Sequence, residues 1–235
     1  MIEDAQGDDA MSFTYVVPDI HGRADLLRDG LGHIFEHAAG RAGIIVALGD
    51  YADKGPDTKD VIDRLRAGVS DGWLLFPLKG NHDVMMVDGL RDPSRMQHWL
   101  ERGGDAVIRS YGGDSLHVPP ADVDWLDRLP LIHTDRFRIY VHAGLDPAVP
   151  LDRQSERTLL WSRYPEEFHG GFGHRHVVHG HDSFVDGPKL YEGRTNLDTR
   201  AWQTGRLVIG VFDDETPGGP VDFIQVIGPP ASRSN

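Results

Sequence analysis

The hydrophobic positions of the chain form short runs that each end in a cluster of polar residues. Runs rich in β-branched and aromatic residues predict strands, and they occur in FTYVVPDIHG, AGIIVALGDYADKG, GWLLFPLKGNHD, FRIYVHAG and HVVHGHD. Between the first three runs, apolar residues recur at the spacing of an amphipathic helix. These are Leu26, Leu27, Leu31, Ile34 and Phe35 in one segment and Val61, Ile62 and Leu65 in the next. The chain therefore begins with a β-α-β-α-β pattern, which predicts an α/β fold.

The polar ends of these strands are expected to meet. In an open α/β sheet the loops at the carboxyl ends of the strands converge on one edge, so five such ends predict one shared site. Residues from about 83 to 130 have a helical and loop-rich pattern, and we expect them to form a cap-like insertion beside that site. Further strands are predicted after residue 188, in KLYEG, RLVIGVF and VDFIQVIG. Since no repeat or long linker divides the chain, residues 1–235 are predicted to form a single domain whose polar ends fray.

The charge and the lack of cysteine exclude several classes of site. The chain has 24 Lys and Arg against 37 Asp and Glu, a formal net charge of -13. This balance argues against the broad basic surface that binds nucleic acid. An anionic substrate would need a local positive centre, which bound cations can supply. Without cysteine, disulfides, thiolate zinc sites and cysteine nucleophiles are excluded, so a metal would be held by histidine, carboxylate or amide groups.

Targeting signals are not recognisable in the sequence. The first ten residues are acidic and polar, unlike a signal peptide, and no run approaches the roughly 18 apolar residues of a membrane span. We therefore expect a soluble, cytoplasmic protein with no membrane partner.

Candidate metal ligands stand at the end of each predicted strand. Asp19 and His21 alternate at the first strand end, so their side chains lie on one face. The later strand ends carry Asp50 and Asp53, then Asn81 and His82, then His142, and finally His181 or His179. Each pattern alone is common in turns and helix caps. Five successive strand ends that carry carboxylate, amide and imidazole groups favour a metal site.

The order of these motifs resembles that of the metallophosphoesterases, most closely the phosphoprotein phosphatase (serine/threonine) family in its bacterial form. That family has Gly-Asp-x-His-Gly, Gly-Asp-x-x-Asp-Arg-Gly, Gly-Asn-His-Glu, His-Ala-Gly and a final Gly-His, and the resemblance runs from residue 17 to about 182. It implies the calcineurin-like fold, a four-layer αββα sandwich of two mixed β-sheets flanked by helices. It also implies a metal-dependent phosphatase with a binuclear centre.

The resemblance assigns a role to each matching residue. The implied metal ligands are Asp19, His21, Asp50, Asn81, His142 and His181. Asp50 would bridge the ions, a hydroxide between them would attack phosphorus, and His82 would protonate the leaving group while Asp53 orients His82. Lys54 and Arg163 would bind the phosphate. Manganese is the expected metal, although iron, zinc and magnesium also suit these ligands.

Departures from the family pattern leave two substrate classes open. Lys54 replaces an arginine and so trades a forked guanidinium for a compact charge, and Asp83 replaces a glutamate. Symmetrical dinucleoside polyphosphate hydrolases share the ligands and often carry GNHD, some have this lysine, and they commonly lack the aspartate at the position of Asp53. We expect a phosphatase of phosphorylated proteins, serine/threonine-specific or dual-specificity, or of small phosphoesters. The alternative is a symmetrical diadenosine tetraphosphate hydrolase or a related pyrophosphohydrolase. A catalytically inactive protein of the same fold is disfavoured because every ligand is present.

The histidines of HRHVVHGHD, residues 174–182, are not all expected to be ligands. His181 follows a glycine, as in the family's final motif, and is the predicted ligand. His179 is predicted to be a neighbour, and the sequence does not decide whether it touches metal or substrate. We expect His174 and His176 to be solvated or structural, and the aromatic residues Trp99, Trp161 and Tyr164 to pack rather than to bind substrate.

Overall fold

A computed structural model of the chain describes residues 12–231, and residues 1–11 and 232–235, which include most of the ends predicted to fray, lie outside the described part. The described strands are β1 Phe13–Val17, β2 Ile44–Ala47, β3 Leu74–Pro77, β4 Ile132–Thr134, β5 Arg138–Val141, β6 His176–His179, β7 Lys189–Leu190, β8 Arg194–Asn196, β9 Arg206–Asp213 and β10 Asp222–Ile227. The α-helices are α1 Ala24–Ala38, α2 Thr58–Ala67, α3 Asn81–Arg91, α4 Pro93–Trp99, α5 Asp105–Ser110, α6 Pro120–Asp127, α7 Glu156–Trp161 and α8 Ala201–Thr204.

The described strands form two mixed sheets of five strands each, in the orders β10-β9-β1-β2-β3 and β4-β5-β6-β8-β7. In the first sheet β1, β2 and β3 are parallel, and β9 and β10 continue it in antiparallel fashion. In the second sheet β5, β6 and β8 are parallel between the antiparallel edge strands β4 and β7. Each sheet therefore brings several strand carboxyl ends to one edge.

Alternation along the strands builds the layers. Because successive side chains of a strand point to opposite faces, Val16 packs between the sheets with Tyr140 and Val178, whereas Tyr15 and Val17 pack in the helix-covered core on the other face of the first sheet. On the outer face of the second sheet, residues of β5 and β6 pack with Leu159 of α7. The predicted four-layer αββα sandwich is confirmed.

The segment between β3 and β4 is mainly helical and is attached to α2. It contains α3 to α6 and a π-helical turn at Leu100–Gly104. The buried carboxylate of Asp122 accepts a hydrogen bond from the Tyr111 hydroxyl at 2.9 Å and pairs with Arg66 of α2. This network fixes the helical segment against the first sheet's helices. None of the described helices is long and apolar enough to cross a membrane.

Candidate metal centre

The predicted ligands come together where parallel strands of both sheets end. Asp19 and His21 follow β1, Asp50 follows β2, Asn81 follows β3, His142 follows β5, and His181 follows β6. All are buried except His181, which is half-buried. The first sheet supplies one part of the site and the second sheet the other, because the carboxyl ends of parallel strands meet at one edge.

Two groups of donor atoms share Asp50. His21, Asp50 and His82 form one group, and Asp50, His142 and His181 form the other, with the donor atoms of each group within 4.8 Å of one another. The two carboxylate oxygens of Asp50 divide between the groups. Oδ2 lies 3.3 Å from His21 Nε2, and Oδ1 lies 3.5 Å from His142 Nε2. This disposition suits a carboxylate shared between two cations.

The second group has the geometry of ligands on one ion. The Nδ1–H of His142 donates to the Leu48 carbonyl at 3.0 Å, so the Nε2 lone pair points inward. That Nε2 lies 2.8 Å from Asn81 Oδ1, which lies 2.9 Å from His181 Nδ1. Two ligands at right angles on an ion, each about 2.1 Å from it, are about 3 Å apart. The donor set therefore fits a bound divalent cation.

The imidazoles are held in the neutral form that metal binding needs. Burial lowers the pKa of His142 and lowers the pKa of His21 well below its usual range. The Nδ1–H of His21 donates to the Ala52 carbonyl at 2.7 Å, which leaves Nε2 as the coordinating atom. His21 Nε2 also accepts from the Lys54 ammonium at 2.9 Å. The His142 lone pair is thus available before any metal binds, whereas a metal at His21 would replace the Lys54 ammonium.

Asp19 lies beside the two donor groups rather than within them. Its two carboxylate oxygens each lie 3.2 Å from the backbone N–H of His181. A Cβ at Gly180 would lie 2.0 Å from Asp19 Oδ1, so this contact requires glycine before the histidine. Burial and the negative charges of Asp198 and Asp50 raise the pKa of Asp19 well above its usual range. A nearby cation would favour the ionised form.

Asp83 fixes the loop that carries the bridging residue. Its carboxylate accepts hydrogen bonds from the backbone N–H groups of Asp50 and Gly80, both at 2.9 Å, and of Tyr51 and Ala52 at 3.0 and 3.2 Å. Asp50 has a φ of 54°, a left-handed conformation that needs such support. Burial and the charge of Asp50 raise the pKa of Asp83 to about 8. In the sequence, Asp83 was noted only because it replaces a glutamate of the family pattern. Its place in the first turn of α3 was the available signal that its carboxylate accepts backbone N–H groups.

The predicted proton donor and its orienting carboxylate are in contact. His82 Nδ1 donates to Asp53 Oδ2 at 2.6 Å, and Asp53 is completely buried. The indole N–H of Trp99 donates to the other oxygen, Oδ1, at 2.7 Å. Burial raises the pKa of Asp53, and the hydrogen bond from His82 opposes that shift. The Nε2 atom of His82 is left for the cavity that this residue lines.

The predicted phosphate-binding cations border the same cavity, which has a volume of about 370 Å³. Lys54 Nζ lies 5.7 Å from the centre of the Trp202 ring. The Arg163 side chain is 66% exposed, and its Nε lies 3.6 Å from Asp182 Oδ1. Arg102 also lines this cavity. Three positive side chains therefore surround the donor groups in a strongly acidic protein, which suits an anionic substrate.

The other residues of the histidine-rich segment turn away from the donor groups. His179 Nε2 accepts from Arg194 Nη1 at 3.2 Å, and His179 lines a second cavity. His176 is buried and bonds to Thr195 Oγ1 at 2.9 Å, whereas His174 is exposed. Of the histidines in residues 174–182, His181 is the one whose ring nitrogen lies in a donor group. Trp161 is 42% exposed and borders the cavity of the donor groups, so it is not a simple packing residue.

Comparisons with known proteins identify similar sequences and a similar fold. The sequence profile of the calcineurin-like phosphoesterases matches residues 14–209. Serine/threonine-protein phosphatase 1 of Salmonella typhimurium is 31% identical over 159 residues, 63% of this chain and 68% of that protein. The symmetrical bis(5'-nucleosyl)-tetraphosphatase of Paracidovorax citrulli is 31% identical over 119 residues, 48% of this chain and only 38% of that protein. A crystal structure provisionally assigned as a diadenosine tetraphosphatase superimposes with a TM-score of 0.65 at 24% identity, over 94% of this chain and 96% of the other, which shows a shared fold.

Proposed function

The chain belongs to the calcineurin-like phosphoesterase family of metal-dependent phosphoric ester hydrolases, and we propose that it releases phosphate from phosphomonoesters, as a serine/threonine or dual-specificity protein phosphatase. The observation that carries this proposal is the contact of 2.6 Å between His82 and the buried Asp53. Serine and threonine alkoxides are poor leaving groups that need a proton in the transition state. A nucleoside diphosphate is an acidic leaving group that needs none.

The donor atoms support a binuclear centre. Asp19 and His21 would hold one cation, Asn81, His142 and His181 would hold the other, and Asp50 would bridge them. Such cations neutralise phosphate charge and lower the pKa of a coordinated water. The set contains nitrogen and hard oxygen atoms and no sulfur, so we propose manganese, with iron, zinc or magnesium as alternatives.

The protein's own groups would complete the reaction around the phosphate. Arg163 and Lys54 border the cavity and would bind the non-bridging phosphate oxygens. The Nδ1–H of His82 remains hydrogen-bonded to the carboxylate of Asp53. The proton that His82 would transfer to the leaving oxygen is therefore the one on Nε2. The buried negative charge of Asp53 stabilises the imidazolium from which that proton comes.

A phosphate-release screen tests this proposal. We expect the purified chain with manganese to release inorganic phosphate from phosphoserine and phosphothreonine peptides and from p-nitrophenyl phosphate, and to lose this activity after chelation. Phosphotyrosine peptides would show whether the specificity is dual. Parallel assays with iron, zinc and magnesium identify the preferred metal. Cleavage of diadenosine tetraphosphate to ADP, with the phosphopeptides left intact, would contradict the phosphatase proposal and establish the second candidate.

That second candidate, symmetrical dinucleoside polyphosphate hydrolysis, is favoured by the cavity of about 520 Å³ that His179 lines. Tyr164, Tyr191 and Arg194 also line it. Arg194 is 3% exposed, and its guanidinium lies 3.5 Å from the Tyr191 ring centre and 4.8 Å from that of Tyr164. It forms no ion pair with any carboxylate of residues 12–231. A planar nucleobase suits such a cavity, because it can stack on a tyrosine and accept a hydrogen bond.

Replacing Tyr191 by alanine tests whether this cavity binds a base. Base–aromatic stacking contributes about 1–3 kcal/mol, so we expect KM for diadenosine tetraphosphate to rise about tenfold if a base stacks there. Phosphopeptide kinetics should be unchanged. An equal loss with both substrates would instead indicate that Tyr191 only supports Arg194, and thermal unfolding of the variant provides the control.

A further inference from the structure

Trp99 connects the helical segment between the sheets to the dyad of Asp53 and His82. It ends α4, is 1% exposed, and its indole N–H donates to Asp53 Oδ1 at 2.7 Å. The other oxygen of Asp53 accepts from His82 Nδ1 at 2.6 Å. Each oxygen of this completely buried carboxylate thus has one side-chain donor. Since Asp53 is out of reach of bulk water, solvent cannot replace the indole N–H if it is lost.

The indole ring is held in place by close backbone contacts. A Cβ at Gly89 of α3 would lie 2.8 Å from Trp99 Cε3, and a Cβ at Gly104 would lie 2.4 Å from Trp99 Cε2. Real Cβ atoms do not approach other atoms this closely, so neither position can carry a side chain without a shift of the ring. The indole therefore packs directly on glycine backbone at two points. Protein interiors transmit such constraints because they are close-packed. The direction of the N–H is therefore set by packing before any substrate arrives.

The turn that follows Trp99 contacts Lys54, which comes directly after Asp53 in the same loop. The backbone N–H of Lys54 donates to the Gly103 carbonyl at 3.2 Å, and a Cβ at Gly103 would lie 2.8 Å from Lys54 N. Asp53 and Lys54 have φ values of 73° and 66°. Non-glycine residues hold this left-handed conformation only where the surrounding structure fixes it. Residues 99–104 thus fix both the loop backbone and the Asp53 carboxylate.

We infer that Trp99 is a positioning residue for hydrolysis: its indole N–H fixes the carboxylate of Asp53, which in turn aligns His82 with the leaving oxygen. The inference rests on the proposed proton transfer by His82. Without the indole, the carboxylate keeps one side-chain donor and is free to rotate about its Cβ–Cγ bond.

Replacing Trp99 by phenylalanine tests the inference, because it removes the N–H and keeps an aromatic ring. At metal sites, loss of an outer-shell hydrogen-bond partner typically lowers metal affinity or activity about 10- to 100-fold. We expect kcat for a phosphoserine peptide to fall by that factor, with KM and metal content unchanged. The kcat for p-nitrophenyl phosphate should fall less than about threefold, since its leaving group hardly needs a proton.

The matched control is Trp125→Phe. Trp125 lies in α6, is half-buried, and its indole N–H bonds to none of residues 12–231, so this variant should keep both activities. In a His82→Asn background, Trp99→Phe should cause no additional loss for the peptide, because the two residues act through one path. An equal loss with both substrates, or no loss with either, overturns the inference. Failure of the proposed function is distinguished by the wild type alone, which would then hydrolyse neither the phosphoserine peptide nor p-nitrophenyl phosphate.

A spectroscopic measurement does not depend on the stability of a Trp99 variant. The chain has five tryptophans, so its indole N–H groups give a small set of resolvable NMR signals. The signal of Trp99 should lie downfield and exchange slowly, and it should move upfield in Asp53→Asn. If none of the indole signals moves in Asp53→Asn, the proposed hydrogen bond does not operate in solution.

Discussion

Asp50→Asn should lower kcat/KM for every phosphomonoester by about 1,000-fold or more. Asp50 directs one carboxylate oxygen to His21 and the other to His142, at 3.3 and 3.5 Å, so its charge is shared by both donor groups. Metal ions contribute several kcal/mol of transition-state stabilisation, and about 1.4 kcal/mol corresponds to a factor of ten in rate. An amide of the same shape is neutral and cannot balance two adjacent cations. The measurement is kcat/KM with p-nitrophenyl phosphate, combined with metal analysis of the purified protein.

The fold should tolerate this substitution, which separates catalysis from stability. Asp50 Oδ1 accepts the backbone N–H of His82 at 2.9 Å, and an asparagine oxygen can accept it too. Although burial opposes it, the charges of His142, His82, His21 and Lys54 lower the pKa of Asp50, so the ionised side chain adds stability at neutral pH and the variant without metal should melt at a somewhat lower temperature while remaining folded. Asp152→Asn, at an exposed position, is the matched control and should have wild-type kinetics. A normal rate in Asp50→Asn would show that the two-metal hypothesis is wrong.

The layers of the fold were predictable where hydrophobic residues alternate, as in β1, whose odd and even positions face different cores. Strand β8 was not predicted, because Arg194, Thr195 and Asn196 are polar yet all buried. Its polar groups are satisfied inside the protein, since Arg194 Nε donates to the Phe168 carbonyl and Asn196 Nδ2 to the Asp182 carbonyl. Hydrophobic periodicity carries no signal for a strand that is stabilised in this way.

The candidate site was predictable to the extent that it follows strand ends. His21, Asp50, His142 and His181 each come directly after a predicted strand, and the structure groups them as expected. The position of Asp19 beside the donor groups depends on the close approach of Gly180, which is a tertiary contact.

Contacts between distant segments gave no signal in the sequence. Trp99 and Asp53 are 46 residues apart, and the sequence indicated only that Trp99 packs. The orientation of His179 towards Arg194 was also undecided, because the turn at Gly180 interrupts the alternation that would have placed it.

His82→Asn should have an effect that depends on the leaving group. General acid catalysis typically contributes about 10²–10⁴-fold, so we expect kcat for phosphoserine and phosphothreonine peptides to fall within that range. The kcat for p-nitrophenyl phosphate should fall far less. Asp53→Asn should show the same pattern with a smaller loss, because Asp53 acts on the substrate only through the contact with His82 Nδ1.

The same variant separates the two candidate substrate classes. Symmetrical hydrolysis of a dinucleoside polyphosphate expels a nucleoside diphosphate, which is an acidic leaving group. The cleavage should therefore be nearly insensitive to the loss of His82. A large loss with phosphopeptides and a small loss with p-nitrophenyl phosphate therefore support protein phosphatase activity. The reason is that an alkoxide leaving group needs a proton in the transition state, whereas an acidic leaving group does not. A uniform loss with all substrates would place His82 among the groups that bind metal or phosphate instead. That result would agree with its donor atom lying within 4.8 Å of those of His21 and Asp50, and it would contradict its assignment as the proton donor.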